Sequence, residues 1–203
     1  MNAGVDLVQA YLHLNGYFTI TELPVIRRSR RGYEEVTDLD ILAVRFPWAA
    51  FTIPGGNPGP EDDLSLALDQ ALVPRNGLVD VIIAEVKEGK ARVNERLRSR
   101  DALLTALRRV GCAPDDRLGA AVEELQRHGR ARIQPPAGGA EVQIRILAFG
   151  DGRTGARTGY HVISLRHVAD FVESYLDRYH AVLMPSDLPE SALGILHLLR
   201  KVR

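Results

Sequence analysis

The residues of this chain that could do chemistry lie in two short stretches. The stretch TDLDILAV carries Asp38 and Asp40. The stretch LVDVIIAEVKEGK ends an apolar run in Glu85 and Lys87. Side chains two apart in a strand share a face, so the members of each pair point the same way. Two neighbouring strands could therefore bring together carboxylates and an amine, which are the groups that a divalent metal and a phosphate require.

Lysine is rare in this chain. Of the 26 basic residues, only Lys87, Lys90 and Lys201 are lysine, so two of the three lie beside the candidate acids. An ammonium group is a compact charge whose pKa shifts readily on burial, whereas arginine stays protonated and cannot act as a base. A lysine at this position therefore suits action on a water molecule or on a phosphate.

The order of these stretches resembles the PD-(D/E)xK nuclease superfamily over roughly residues 4 to 110. The opening NGYFTI resembles the end of that family's first helix and its first strand. The family's strand aspartate falls on Asp40, and its E-x-K pair falls on Glu85 and Lys87. The resemblance implies a restriction endonuclease-like α/β fold with three α/β/α layers, a mixed central sheet, an extra helix between the second and third strands and extra C-terminal helices.

The same resemblance implies a metal site. Mg²⁺ or Mn²⁺ would be bound by Asp40, Glu85 and the backbone carbonyl of Val86, since hard cations favour oxygen ligands. Lys87 would orient or deprotonate the attacking water, or offset charge on the scissile phosphate. The acids expected as auxiliary ligands are Asp6 and Asp38.

Two basic stretches are candidate contacts to a nucleic-acid backbone, with DNA favoured over RNA. One is the loop RRSRRG before the second strand. The other begins at Lys87 and runs to Arg109, with eight Lys or Arg against three acids. An ordinary solvated surface is the alternative for both, because a basic patch needs a spatial context. The candidate contact residues are Arg27, Arg28, Arg30, Arg31, Lys90 and Arg92.

Hydrophobic periodicity predicts alternating helices and strands along the chain. The predicted helices cover residues 5–15, 61–72, 87–109, 115–128, 165–180 and 189–202. The predicted strands cover residues 17–26, 33–46, 79–87, 130–134, 141–149 and 160–164. The run GDGRTG matches a dinucleotide-binding fingerprint in form, but a strand rather than a helix is predicted to follow it, which favours a polar loop.

Length and composition indicate one soluble domain. The chain has 203 residues and no formal net charge, so we expect a single core over about 4–165 and a C-terminal helical extension over about 165–203. The single cysteine, Cys112, excludes an internal disulfide. No apolar run is long enough to span a membrane, and the N-terminus lacks the pattern of a signal peptide, so we expect no membrane partner and a cytoplasmic location.

The resemblance to the PD-(D/E)xK superfamily implies a metal-dependent nuclease that hydrolyses phosphodiester bonds, with DNA as the favoured substrate. Glu85 and Lys87 alone have a simpler interpretation, because an E-x-K at a strand end is commonly an ion pair. The alternative function is a catalytically inactive nuclease-fold module that binds nucleic acid or a protein partner. In either case the C-terminal helices could pair with a second subunit to form a homodimer.

Overall fold

The computed structural model describes residues 2–49, 68–73, 77–134, 139–157 and 159–183. Its strands are β1 Phe18–Ser29, β2 Gly32–Arg45, β3 Val79–Lys90, β4 Arg130–Ile133, β5 Val142–Asp151, β6 Gly155–Arg157 and β7 Tyr160–Ser164. Its helices are α1 Ala3–Leu14, α2 Arg100–Val110, α3 Asp115–His128, α4 Leu165–Arg178 and the short α5 His180–Leu183, beside a 3-10 helix at Gln70–Leu72.

The seven strands form one mixed, open sheet. Its order is β1-β2-β3-β5-β7-β6, with β4 beside the first half of β5. β1, β2 and β3 form an antiparallel meander, whereas β5 runs parallel to β3 and β7 runs parallel to β5. The step from β3 to β5 needs a crossover connection, which α2 and α3 provide. The predicted α/β class and the mixed sheet are therefore confirmed.

The sheet has a hydrophobic core on each face. On one face, α1 and α4 cover the β3 residues Ile82, Ala84 and Val86. On the other face, α2 and α3 cover the alternate β3 residues Val81 and Ile83. A strand that is covered on both faces reads as a continuous apolar run, which is why β3 was recognisable from the sequence.

The predicted helix over 87–109 is wrong in its first half. β3 continues to Lys90, residues 91–94 have no regular structure, and the helix begins only at Arg100. Ser99 sets that start, because its hydroxyl accepts a hydrogen bond from the backbone N–H of Ala102. Leu97 is fully buried from the turn before the helix, so its apolar character reflects core packing and not helical periodicity.

Two predicted helices lie wholly or largely outside the described residues. The 61–72 helix has only its end within the described part, where Gln70–Leu72 forms a 3-10 turn capped by Asp69. The 189–202 helix falls outside it entirely, so pairing of two subunits through it stays a prediction. In the described part of the chain, no helix is long and apolar enough to cross a membrane.

The GDGRTG run lies between strands, as predicted. It joins β5 to the β6–β7 hairpin, and no helix follows it directly. Its first glycine, Gly150, has a packing role: a Cβ there would lie 2.7 Å from the Gly89 carbonyl oxygen and 2.9 Å from that of Lys87. Gly150 therefore permits the end of β3 to pass close over β5.

A buried ion pair joins the two halves of the sheet. Asp80 of β3 accepts hydrogen bonds from Arg145 of β5, at 3.0 Å from Nε and 2.5 Å from Nη2. Tyr17 donates to the same carboxylate at 2.6 Å, and Gln143 donates to it at 3.3 Å. Asp80 is 3% exposed, so its charge is stabilised by these partners and not by water.

Two short strands cover the edge of β5 end to end. β4 pairs with its first half, β7 pairs with its second half, and between them Ile146 N–H donates to the Gly129 carbonyl at 2.8 Å. Gly129 ends α3 in the left-handed region at φ +66. A Cβ on Gly129 would lie 1.7 Å from the carbonyl oxygen of Gly159, so the two chain segments meet only because Gly129 has no side chain.

We expect Asp80→Ala to lower the free energy of unfolding by about 3–5 kcal/mol, because it leaves the Arg145 guanidinium buried without its counter-charge. Urea denaturation followed by circular dichroism measures this. The control is Glu123→Ala, which removes one partner of an exposed i,i+4 ion pair and should change stability by no more than about 0.5 kcal/mol. Equal effects of the two substitutions would contradict the structural role given to Asp80.

Gly129→Ala and Gly111→Ala make a matched pair. Both glycines end a helix in the left-handed region, at φ +66 and φ +67, but only Gly129 is in contact with another backbone segment. Gly111→Ala should cost about 1 kcal/mol through backbone conformation alone. Gly129→Ala should cost at least about 2 kcal/mol more, because β4 and β7 must separate. Similar midpoints in urea would show that the contact is easily relieved.

Candidate active site

Asp40 and Glu85 lie at the point where the β2–β3 ladder ends. The last regular pair is Ile41 with Ala84, so the next residues in register are the two acids. Asp40 Oδ2 accepts a hydrogen bond from the backbone N–H of Val86 at 2.7 Å. The carboxylate of Asp40 thus takes the place of a backbone acceptor and ties the two strands together beyond the ladder.

Glu85 is a nearly buried acid with an amine partner. Its side chain is 5% exposed, and its Oε1 lies 2.5 Å from Nζ of Lys87, which is 39% exposed. The backbone of Asn94 also lies near the Glu85 carboxylate and opposes the rise in its pKa. The irregular segment after β3 therefore folds back over Glu85, while Lys87 stays within reach of solvent.

Burial sets the protonation behaviour of both acids. Burial raises the pKa of Asp40 above its ordinary value, although the Val86 N–H and the charge of Lys87 oppose it. Burial likewise raises the pKa of Glu85, and the negative charge of Asp40 adds to the effect. Two carboxyls that each resist ionisation are expected where a cation binds, because a cation removes the penalty.

The pKa of Lys87 is raised, whereas burial alone lowers the pKa of a lysine. Burial by itself would lower the pKa of Lys87, but the hydrogen bond to Glu85 and the negative charges of Glu85, Asp40 and Asp38 outweigh it and raise the pKa. The side chain is therefore a cation at neutral pH. It can stabilise negative charge, and it is a poor proton acceptor in this arrangement.

A break in the β3–β5 ladder shapes the strand end. Regular pairing stops at Val86 with Phe149 and resumes only at Lys90 with Asp151. The intervening residues pass over Gly150, and they can lie this close to its backbone because Gly150 has no Cβ. Val86, whose carbonyl is a predicted metal ligand, is thus the last regularly paired residue before the break.

The structure brings the three predicted catalytic residues, Asp40, Glu85 and Lys87, together on one face of the sheet. Asp38 is exposed. It lies near the three residues, because its charge raises the pKa of both Asp40 and Lys87. Asp6 is not part of this group. It lies on α1, which covers the opposite face, and none of the described contacts joins it to the three residues.

Glu22 is an acid near the site that the sequence did not reveal. It lies on β1 opposite Asp40, and its charge raises the pKa of Asp40. The pairing depends on a register shift between Val25 and Ile26, where β2 contains one extra residue. Without that shift Asp40 would face Thr21. Glu22 also has φ +51, a strained conformation for a non-glycine residue.

The predicted nucleic-acid contacts occupy two places. Arg27, Arg28, Arg30 and Arg31 lie around the tip of the β1–β2 hairpin, about 25 Å along the strands from Asp40 at the usual rise per residue. All four arginines are exposed, and Arg27 is paired with Glu34 and lies 3.5 Å from Asp101 of α2. Lys90 and Arg92 are exposed just after Lys87 and are not on a helix.

The donor set at the site fits a hard divalent cation. Asp40 and Glu85 supply carboxylate oxygens from adjacent strands, and Mg²⁺ is commonly held by one or two carboxylates with water and substrate phosphate as further ligands. Across the described ranges, no three His, Cys, Asp or Glu side chains are grouped closely enough to form a metal site by themselves. The carboxylates that these two strands would contribute are Asp40 and Glu85, beside the predicted Val86 carbonyl.

We expect Asp40→Asn to raise the melting temperature at pH 7. The pKa of Asp40 is higher in the folded than in the unfolded protein, so ionisation of Asp40 at pH 7 lowers the stability of the wild type. The side-chain amide oxygen that replaces the carboxylate can still accept the hydrogen bond from the Val86 N–H. The wild type recovers this stability as the pH falls, so the difference should vanish below about pH 4, near the ordinary pKa of aspartate. Calorimetry from pH 3 to pH 8 measures it.

Glu88→Gln is the control for this experiment, because Glu88 is an exposed acid at the end of the same strand. It should show no comparable gain at pH 7. A difference between Asp40→Asn and wild type that is constant across the pH range would contradict the proposed cause, since it could not arise from ionisation of Asp40.

Comparison of the chain with protein-family models, with curated proteins and with solved structures gave no match. The resemblance to PD-(D/E)xK nucleases therefore stays a prediction carried by Asp40, Glu85 and Lys87. What these residues do has to follow from their own geometry and chemistry.

Proposed function

We propose that this chain is a metal-dependent nuclease that hydrolyses phosphodiester bonds, with DNA as its substrate. The observation that carries the proposal is the meeting of Asp40, Glu85 and Lys87 at the ends of two adjacent strands. Their pKa shifts add to it, because the buried Glu85 and the half-buried Asp40 beside a lysine form a site that is costly for folding alone. Such a cost is expected where the charges serve a reaction.

The topology supports a restriction endonuclease-like fold. One helix is followed by a three-stranded antiparallel meander, then by helices that cross over to a strand parallel to the third. The E-x-K pair lies at the end of that third strand, which is buried on both faces. Fold alone does not imply activity, so the proposal rests on the site.

Asp40 and Glu85 would hold the metal, with the Val86 carbonyl as a third oxygen donor at the end of the regular ladder. Mg²⁺ or Mn²⁺ supplies Lewis acidity that acidifies an attacking water and stabilises charge on the phosphate. Both carboxylates are held before substrate arrives, because Asp40 accepts a hydrogen bond from the Val86 N–H and Glu85 is paired with Lys87. Little reorganisation is then needed during the reaction.

Lys87 is assigned the role of a charge stabiliser. During hydrolysis a bond forms between the water oxygen and phosphorus while the bond to the leaving sugar oxygen breaks, and negative charge builds on the phosphate oxygens. The raised pKa of Lys87 keeps its ammonium protonated beside that charge. Of the predicted roles, offsetting charge on the scissile phosphate fits this protonation state better than removing a proton from water.

The β1–β2 hairpin favours duplex DNA as the substrate. Its outer part, residues 26–35, is almost entirely exposed and carries Arg28, Arg30 and Arg31 at the tip. A two-stranded β-ribbon fits the major groove of B-DNA, whereas the major groove of an RNA duplex is too narrow for side chains to read. The tip would contact phosphates of the same duplex at a distance from the cleaved bond.

A second candidate, an inactive nuclease-fold module that binds nucleic acid or a protein, also has support. Lys87 pairs with Glu85, and the Val86 N–H donates to Asp40, so both acids have partners without any metal. A protein that had lost its chemistry could keep these contacts for stability. Metal dependence of binding and of cleavage separates the two functions.

The decisive measurement is cleavage of supercoiled, single-stranded and branched DNA, and of RNA, with Mg²⁺, Mn²⁺ or EDTA. We expect metal-dependent cleavage, reduced on the order of 10²- to 10³-fold in Asp40→Asn and in Glu85→Gln. Lys87→Ala should lose a similar amount. Lys87→Arg should retain more activity than Lys87→Ala, because arginine keeps the positive charge but cannot accept a proton.

Glu88→Gln is the matched control for Glu85→Gln and should cleave like the wild type. Melting curves identify variants that fail to fold, and calorimetric titration with Mn²⁺ measures metal binding without reference to activity. Folded protein that neither cleaves nor binds metal would sink the nuclease proposal and leave the binding module. Equal activity of Lys87→Arg and Lys87→Ala would remove the charge-stabilising role.

A further inference from the structure

A basic cavity lies at the split edge of β5. It has a volume of about 1030 Å³ and opens between the end of α3, strand β4 and the β6–β7 hairpin. Its basic lining residues are Arg127, His128, Arg130, Arg132, Arg145, Arg157 and His161, and the one acid in the lining is Glu124. This lining differs sharply from the neutral charge of the whole chain.

Only some of these arginines are neutralised by the protein. Arg145 is paired with the buried Asp80, Arg127 with acids of its own helix, and Arg132 with Glu141 at 3.4 Å. Among the described residues, no acid pairs with Arg130 or Arg157. The cavity therefore keeps uncompensated positive charge in a concave space, where the field of the charges is concentrated.

Pairing of β4 with β5 places two of these arginines directly opposite each other. Arg130 lies directly opposite Arg145, and Arg132 lies opposite Gln143, so these side chains share one face of the sheet. Like charges directly opposite each other are destabilising. Arg145 has its counter-charge in Asp80 and Arg132 has one in Glu141, so an anion in the cavity would offset the charge that remains on Arg130.

We propose that this cavity binds closely spaced phosphate groups, those of a nucleotide or of a single nucleic-acid strand. A guanidinium presents a planar fork of donors that matches phosphate oxygens. Arg130 and Arg132 are two residues apart on one strand and about 7 Å from each other along it, so they can engage two successive groups.

The cavity is separate from the candidate active site. Arg145 and Gln143 alternate with Val142, Ile144 and Ile146, which pack against α2 and α3, so they point to the face of the sheet opposite Glu85. Glu85 pairs with Ala148, further along β5. The phosphate site therefore goes beyond the proposed nuclease function and does not depend on it.

The test is equilibrium binding in EDTA, which removes any contribution of a metal at Asp40 and Glu85. The probes are inorganic pyrophosphate and ADP, by calorimetry, and a fluorescein-labelled ten-residue oligo-dT, by anisotropy. Arg130→Gln and Arg157→Gln should each weaken binding about tenfold, the usual effect of losing a charge-assisted hydrogen bond. For the strand, each should also lower the slope of log K against log salt by about 0.7.

Two further variants locate the effect. Arg108→Gln removes an exposed arginine of α2 that is paired with Asp115 of α3. This variant should bind every probe like the wild type. Lys87→Ala should lose cleavage in the nuclease assay and keep binding at the cavity. The outcomes of the two proposals are thereby distinguishable, because one depends on Lys87 with a metal and the other on Arg130 and Arg157 without one.

The probes also separate the two sources of phosphate. Binding of pyrophosphate and ADP as tight as that of the oligonucleotide indicates a free nucleotide or polyphosphate ligand, whereas much tighter oligonucleotide binding indicates a strand. The proposal is overturned if no probe binds saturably. It is also overturned if folded Arg130→Gln and Arg157→Gln bind like the wild type, or if Arg108→Gln loses as much affinity as they do.

Discussion

The parallel pairing of β3 with β5 holds this molecule together. The N-terminal meander and the C-terminal strands are separate stretches of chain, and they become one sheet only through this ladder. The buried Asp80–Arg145 ion pair fixes its start, and Tyr17 and Gln143 complete the hydrogen bonds of the aspartate. An ion pair of this kind is intolerant of losing one partner, so it specifies one register for the two strands.

The same strand is stable at one end and electrostatically costly at the other. At Asp80 each charge is met by an opposite charge in a dry environment. At Glu85, two acids lie in adjacent strands with raised pKa values, and a single lysine opposes them. Proteins retain such unfavourable arrangements mainly at sites where a reaction or a ligand uses them, which is why the end of β3 is the best candidate for the active site.

The sequence was a good guide wherever local pattern determined the outcome. β3 was predictable because burial on both faces leaves a continuous apolar run, and the meeting of Asp40 with Glu85 followed from adjacent strands of a meander. Glu22 was not predictable, because its position opposite Asp40 depends on one extra residue in β2 that shifts the register. The helix placed too early at Lys87 failed because Leu97 is buried by tertiary contacts.

The basic cavity could not be predicted from the sequence for a related reason. In a chain where almost every cation is arginine, neither Arg130 nor Arg157 stands out. Arg130 lies on β4 and Arg157 on β6, and both line the cavity because β4 and the β6–β7 hairpin meet at the edge of β5. The contact between Gly129 and Gly159 that allows this involves residues thirty positions apart. Long-range placement of this kind is set by the folded sheet and not by periodicity.

The positive φ of Glu22 in β1 has a consequence for contacts between molecules of this protein. β1 is the edge strand of the described sheet, and an edge strand with a full row of free backbone donors and acceptors recruits strands from other molecules. The left-handed backbone of Glu22 interrupts the extended conformation there, and Pro24, two residues later, has no N–H to donate. The residue that places an acid opposite Asp40 thus also makes this edge a poor template for a strand of another molecule.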